Sequence, residues 1–137
     1  MPASYRIDKP RRVVLSVGSG RLTASDILAH QQKLVQDPDF DPAFSQFWDF
    51  TTVVENDITA DDVRTIAAIT IFSPLSRRAA LVTSDEQARL VHMFGTLREK
   101  EGEFGVRVFR DRKEALRWAI PAEGDVPSDT DQPASAR

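Results

Sequence analysis

Apolar and polar positions along this chain fall into blocks of two periods, one near two residues and one near 3.6. Tyr5 to Asp8 and Val13 to Val17 are β-rich runs parted only by Lys9-Pro10-Arg11-Arg12, and so short a connection predicts an antiparallel hairpin at the start. Gly18-Ser19-Gly20 then frees the backbone to turn into a helix. Ile27, Gln31, Leu34 and Val35 give that helix one stripe, and Asp37-Pro38 stops it. After a loop from Asp39 to Pro42, the segment Phe44 to Phe50 mixes large apolar residues with Ser45 and Gln46. Phe47, Trp48 and Phe50 predict a central strand buried on both faces. A second helix is expected from Ala60 to about Ile71, with Val63, Ile66, Ala67 and Ile71 inward, ending before Ser73-Pro74. Arg77 to Val82 reads as a strand, and Leu90, Val91, Phe94 and Leu97 as the inner face of a third helix closed by Gly102. Val106 to Phe109 is a short last strand, followed by a short helix carrying Ala115, Leu116, Ala119 and Ile120.

The helix starts are marked by local chemistry. Leu22-Thr23-Ala24-Ser25-Asp26-Ile27 is echoed by Ile58-Thr59-Ala60-Asp61-Asp62-Val63. In each phrase the Thr oxygen can accept the amide of the third helical residue, the Asp can reach back, and the flanking apolar pair can staple the turn. Ser84 with Gln87 predicts a third capping box, and Asp111 with Glu114 a fourth start. The resulting order, β-β-α-β-α-β-α-β-α, describes an α/β domain. Strands joined through helices should run parallel with right-handed crossovers, giving a mixed sheet of about five strands with an N-terminal β-hairpin and four helices.

Composition narrows the setting. A chain of 137 residues is expected to form one domain, over residues 1–120. Residues 121–137, with three Pro, one Val and no aromatic, read as a disordered acidic tail. The absence of cysteine excludes disulfides, thiolate catalysis and Cys-based zinc sites, and makes the cytoplasm the expected location. No apolar leader or membrane-spanning stretch is visible. The net charge of −3 comes from Glu123, Asp125, Asp129 and Asp131 against Arg137, so residues 1–120 are neutral and carry no electrostatic footprint for nucleic acid.

Candidate chemistry is sparse. His30 and His92, the chain's two histidines, lie on different predicted helices without a metal-binding partner at i+3 or i+4, and read as helix-face residues. Gly18-Ser19-Gly20 sits where a phosphate loop would, yet lacks the further glycine of a dinucleotide fingerprint and the Lys of a P-loop. Ser73, Ser76 and Ser84 lie in no nucleophile elbow. Asp37, Asp39 and Asp41 alternate as in a calcium loop, but Pro38 and Pro42 break the pattern. No catalytic residue, cofactor or metal is therefore predicted. Arg77 and Arg78 could bind an anion, although capping the preceding helix and flanking a strand edge is the simpler reading. Ligands of open α/β sheets lodge at the carboxyl ends of the strands. By connectivity that rim holds Asp49, Thr51 and Thr52, then Thr83 and Ser84, then Arg110 and Asp111.

The element order, the segment Phe47-Trp48-Asp49-Phe50 through Asn56-Asp57-Ile58-Thr59, and Val106-Arg107-Val108-Phe109-Arg110-Asp111 with Glu114-Ala115-Leu116-Arg117-Trp118 resemble the uncharacterised bacterial proteins of SpoIIAA-like fold, in the STAS/Sec14 superfamily. The resemblance covers about residues 4–120. It implies a SpoIIAA-like α/β domain that acts by binding: anti-sigma-factor antagonists dock a partner kinase and are switched by phosphorylation, whereas Sec14 relatives hold lipid. On that likeness Thr59, preceded by Asp57, occupies the phosphoacceptor place. The chain departs from the antagonist pattern at Ile58, Ala60 and Asp61, and an N-cap role accounts for Thr59 equally well.

The expectation is a non-enzymatic STAS-like domain working through protein interaction in a regulatory role. Its alternative is a carrier or sensor of a small apolar or anionic ligand between sheet and helices, using Phe72, Phe94 and Arg77 or Arg78. Cavity volume discriminates the two, since a carrier needs some hundreds of Å³. Phe109 and Trp118, beside the short last helix, leave an apolar edge that predicts weak homodimerisation.

Overall fold

The hairpin is present in the computed structural model, which describes residues 2–120. Strand β1 (Ala3–Asp8) pairs antiparallel with β2 (Val13–Thr23), from Asp8 opposite Val13 to Ala3 opposite Gly18. Helix α1 (Ala24–Val35) leads to β3 (Ser45–Asp57), α2 (Ala60–Ala67) to β4 (Arg78–Leu81), and α3 (Asp85–Glu99) to β5 (Val106–Phe109), with α4 (Arg112–Ala119) last. The sheet order is β1-β2-β3-β4-β5, and β2 to β5 run parallel.

Every crossover steps the same way along this sheet, so right-handed connections stack α1, α2 and α3 on one face. That leaves α4 to cover the other face, where Ala115 and Ala119 pack on Val13, Phe47, Ala79 and Leu81. Small residues on α4 let its axis approach β3 and β4 closely. On the three-helix face Val14, Leu34, Phe44, Ile71 and Phe72 form a second core cluster.

The helix starts are as the sequence reading has them. Thr23 and Thr59 cap α1 and α2, each with the reciprocal Asp side chain in place. Ser84 caps α3, but the Gln87 side-chain oxygen Oε1 accepts from the Thr83 amide, one residue earlier than a capping box requires. Asp111 caps α4, its carboxylate accepting from the amides of Lys113 and Glu114.

Several boundaries differ from expectation. Gly18-Ser19-Gly20 makes no turn; β2 runs through it to Thr23, with irregular register on either side of Ser19 and Gly20. A Cβ on Gly18 would stand only 3.1–3.3 Å from Phe50, Leu22 and Val53, and Gly20 has φ +61°, so the glycines bend the strand and make room for its neighbours. Correspondingly β3 continues past Phe50 to Asp57. Helix α2 ends at Ala67, before Ile71, because the Arg98 guanidinium donates to the Ala67 carbonyl at 2.8 Å. It is Arg98, not Arg77 or Arg78, that satisfies that helix end. On α1, His30 and Gln31 are buried and Val35 is exposed. The predicted tail, residues 121–137, lies outside the described residues. Among those described, no helix is long and apolar enough to cross a membrane.

Candidate functional site

Residues on the three-helix face of the sheet build a buried polar chain that crosses three strands. The His30 ring nitrogen Nε2 lies 2.9 Å from the Ser16 hydroxyl, which also accepts from Gln46 Nε2 at 3.1 Å. Gln46 Oε1 in turn accepts from Arg78 Nε at 3.2 Å. Arg78 Nη1 donates to Glu103, which also accepts from Arg98 Nε at 2.8 Å. Arg98 goes on to the Ala67 carbonyl and the Thr70 hydroxyl. Ser16, Gln46 and Arg78 come from adjacent strands, and the alternation of a strand puts all three on the helix side. All six side chains are buried.

Burial sets the protonation of this chain. The His30 pKa is pushed down to about 4, chiefly by desolvation and then by the charge of Arg78, so the ring is neutral near pH 7. Its faces are closed by Tyr5 at 5.3 Å and Trp48 at 4.6 Å between centroids. Arg78 is held below the usual arginine value by desolvation, with Arg98 adding to that and Glu103 opposing it. Its guanidinium lies 4.6 Å from the Phe72 ring centre and 5.0 Å from that of Phe94.

Beside the chain lies a cavity of about 110 Å³ between the sheet and α1 to α3. Trp48, Phe50 and Ala80 floor it, and Val63, Leu90 and Phe94 stand over it. Leu90, Val91 and Phe94 were expected as core; they are only half-buried, because α3 stands off the sheet across this space. Gln31, Gln46, Asn56, Arg78 and Gln87 supply its polar lining. Gln46 and Arg78 are bonded to each other, and Gln87 Nε2 donates to the Phe50 carbonyl. By contrast Gln31 Oε1 and Asn56 Nδ2 are buried and make no hydrogen bond among the described residues.

The residues singled out in the sequence do not gather into one site. Asp49 accepts from the Thr51 amide and hydroxyl and pairs with Arg112 at 2.8 Å, on the α4 side. Burial opposes its ionisation, but those bonds and Arg112 outweigh it and hold the carboxyl below its usual value. Thr52 donates to the Gly18 carbonyl. Asp57 accepts from Arg21 at 2.6 Å, out on the extended end of β3, with Thr59 spent as the α2 cap. Thr83 is bonded to Gln87, Ser84 caps α3, and Arg110 pairs with Asp85 at 2.7 Å. Arg77 and Arg78 sit at the opposite ends of the strands from this rim. Arg77 is exposed and donates to the Trp118 carbonyl at 2.9 Å, so it serves α4 and not the helix before it. Arg78 is no edge charge but a buried residue of an inner strand. His92 is exposed, whereas His30 is a core residue and not a helix-face one. Among the described residues no group of three His, Cys, Asp or Glu side chains is placed to hold a metal.

Sequence reasoning missed Asn56, Gln87, Arg98 and Glu103 as parts of this arrangement. It counted Gln31 among the stripe residues of α1 and named Gln46 only as an imperfection in the central strand; a polar residue at an inward position was the signal in both.

No protein-family model and no curated protein matches the chain. Among solved structures it is similar to an uncharacterized protein of the DUF3478 family with a SpoIIAA-like fold from Shewanella loihica PV-4. The two share 17% sequence identity and a TM-score of 0.56, over 86% of this chain and 94% of that one. The likeness, with the five-stranded mixed sheet and four helices, shows that the fold is SpoIIAA-like.

Proposed function

We propose that this protein is a non-enzymatic STAS-like domain that acts by binding a protein partner, in a regulatory role. The observation that carries the reading is a pair of exposed large apolar side chains on adjoining loops at the amino-terminal ends of the parallel strands. There Leu75 is 91% exposed and Phe104 71% exposed, on loops whose neighbours Ser76 and Gly105 abut and whose backbones are tied by the Arg78 amide on the Gly105 carbonyl at 2.7 Å. Large apolar side chains grouped in this way on a soluble surface mark interaction sites. Beneath them Glu103, buried between Arg78 and Arg98, fixes the loop, so the surface is presented with little ordering cost on binding. The non-enzymatic part rests on the rim residues, whose polar groups are spent on one another and on helix starts.

The test compares the wild-type chain with the double variant Leu75→Asp/Phe104→Asp as bait in an extract of the native cell, with circular dichroism to check folding. A protein retained by the wild type, lost with the folded variant and bound again by the purified wild type alone supports the reading. Equal retention by both baits overturns it.

A second reading, a small-molecule sensor, is favoured by the cavity under α3. Its volume is below the hundreds of Å³ a lipid carrier needs, so a ligand in this cavity is one of few atoms.

A further inference from the structure

Two features of the cavity point to the chemistry of an occupant, and they rest on the sensor reading rather than on the partner surface. The first is a pair of unspent polar atoms. Gln31 is 8% exposed, yet its Oε1 makes no hydrogen bond among the described residues, and Asn56 Nδ2 is buried in the same condition. A buried amide group left without a partner costs about 1–3 kcal/mol, and native interiors hold few of them. Both residues line the cavity, Gln31 from α1 and Asn56 from the outer half of β3. One amide offers an acceptor and the other a donor.

The second feature is charge. Arg78 and Arg98 are 6% and 2% exposed and share a single carboxylate, that of Glu103. The cluster therefore buries one more positive charge than negative. Arg98 is fully engaged, by Glu103, Ala67 and Thr70. Arg78, the one of the two that lines the cavity, spends Nε on Gln46 and Nη1 on Glu103, and its Nη2 makes no hydrogen bond among the described residues. The rings of Phe72 and Phe94 offset part of the excess, but a buried cation is stabilised far more by an anion.

We infer that the cavity binds a small aliphatic carboxylic acid as its anion, with the carboxylate against Arg78 and the chain along Trp48, Phe50 and Leu90. The volume of about 110 Å³ sets the size. Since an apolar cavity of about 150 Å³ takes the six carbons of benzene, this one suits a body of about four carbons. Such a ligand removes the charge imbalance, fills the space beneath α3 and draws the half-buried side chains of that helix onto the sheet.

Calorimetric titration of the purified full chain with butanoate, and separately with butanamide, tests the assignment. Butanamide matches the chain length but carries no charge. Butanoate is expected to bind with one-to-one stoichiometry, and butanamide at least about tenfold more weakly, as loss of one charged partner in a buried site requires. Arg78→Met keeps the Arg98–Glu103 pair and should weaken butanoate by about 30-fold or more. Ala80→Leu fills the floor and should abolish binding, which places the ligand in this cavity even if the Arg78 variant fails to fold. Equal affinity for the two probes overturns the carboxylate and leaves the sensor reading standing. Failure of the wild type to bind either at millimolar concentration overturns both.

Discussion

Replacing Glu103 by Gln keeps the shape of the side chain and removes the charge that holds Arg78 and Arg98 together. Glu103 is 1% exposed, with Arg98 Nε at 2.8 Å and Arg78 Nη1 at 3.2 Å. At an effective dielectric of about 20, each pair at about 3 Å is worth about 5 kcal/mol, so the substitution forfeits about 10 kcal/mol of attraction. Several kcal/mol return because a neutral amide no longer has to be stripped of water as an ion, and the net cost should be about 3–5 kcal/mol. A domain of this size has about 5–15 kcal/mol in total, so the variant stands near the edge of folding. Urea unfolding followed by the fluorescence of Trp48 and Trp118 measures it. With a slope of about 2 kcal/mol per molar, the midpoint should fall by about 1.5–2.5 M. The triple variant Glu103→Leu/Arg98→Met/Arg78→Met should recover most of that loss, because no charge is then left buried. A midpoint shift below about 0.5 M for the single variant, or a triple variant worse than the single, would refute the account of an unpaired buried cation.

Further outcomes follow from the same geometry. Stability should decline in acid because of His30: its folded-state pKa of about 4 lies below the ordinary 6.5, so the unfolded chain takes the proton first. The contribution is complete above pH 6.5 and is lost as pH falls toward 4; between pH 7.5 and 4.5 it amounts to about 2.5 kcal/mol, read as the difference between the pH profiles of wild type and His30→Phe. Thr23→Ala and Thr59→Ala should each cost about 1 kcal/mol in chemical unfolding, and Thr59→Asp should be near neutral, since Asp caps as well as Thr. A Thr59→Ala variant of unchanged stability that lost a partner would instead favour a phosphoacceptor role. Gly105→Ala should cost at least about 2 kcal/mol, because its Cβ would stand 2.0 Å from the Ser76 carbonyl oxygen, and a wild-type melting temperature for that variant would contradict the packing of the two loops.

The parts of this fold that could be read from sequence are those whose physics is local. Thr23 with Asp26 and Thr59 with Asp62 mark two helix starts, because donor and acceptor lie three residues apart. The hairpin was legible for the same reason, its strands being parted only by Lys9 to Arg12. Strand length was not. The outer half of β2 and that of β3 support each other across a gap in sequence, Leu22 opposite Asn56 and Thr23 opposite Asp57, and neither half looks like a strand without its partner. Where α2 stops was equally hidden, since the residue that takes the Ala67 carbonyl is Arg98, 31 positions later.

The candidate site divides along the same line. Thr83, Ser84 and Arg110 lie at the strand ends where connectivity placed them, whereas Asp49, Thr51 and Thr52 lie within β3, which runs on to Asp57; these residues are bonded within the protein, Thr51 to Asp49, Thr83 to Gln87 and Arg110 to Asp85. Residues rich in polar atoms near a helix start are those most readily satisfied there, so a reading that collects such residues also collects the ones with no capacity left for a ligand. What the cavity keeps unspent belongs to Gln31 and Asn56, which no motif marks. Their one trace in the sequence is disagreement with period: Gln31 stands on the apolar stripe of α1, where Leu or Ile would have filled space at no polar cost. A helix that keeps a Gln at such a position leaves a buried acceptor without a donor, in the lining of a cavity that also holds Arg78, one of two buried arginines that share one glutamate. A small bound anion balances that excess charge.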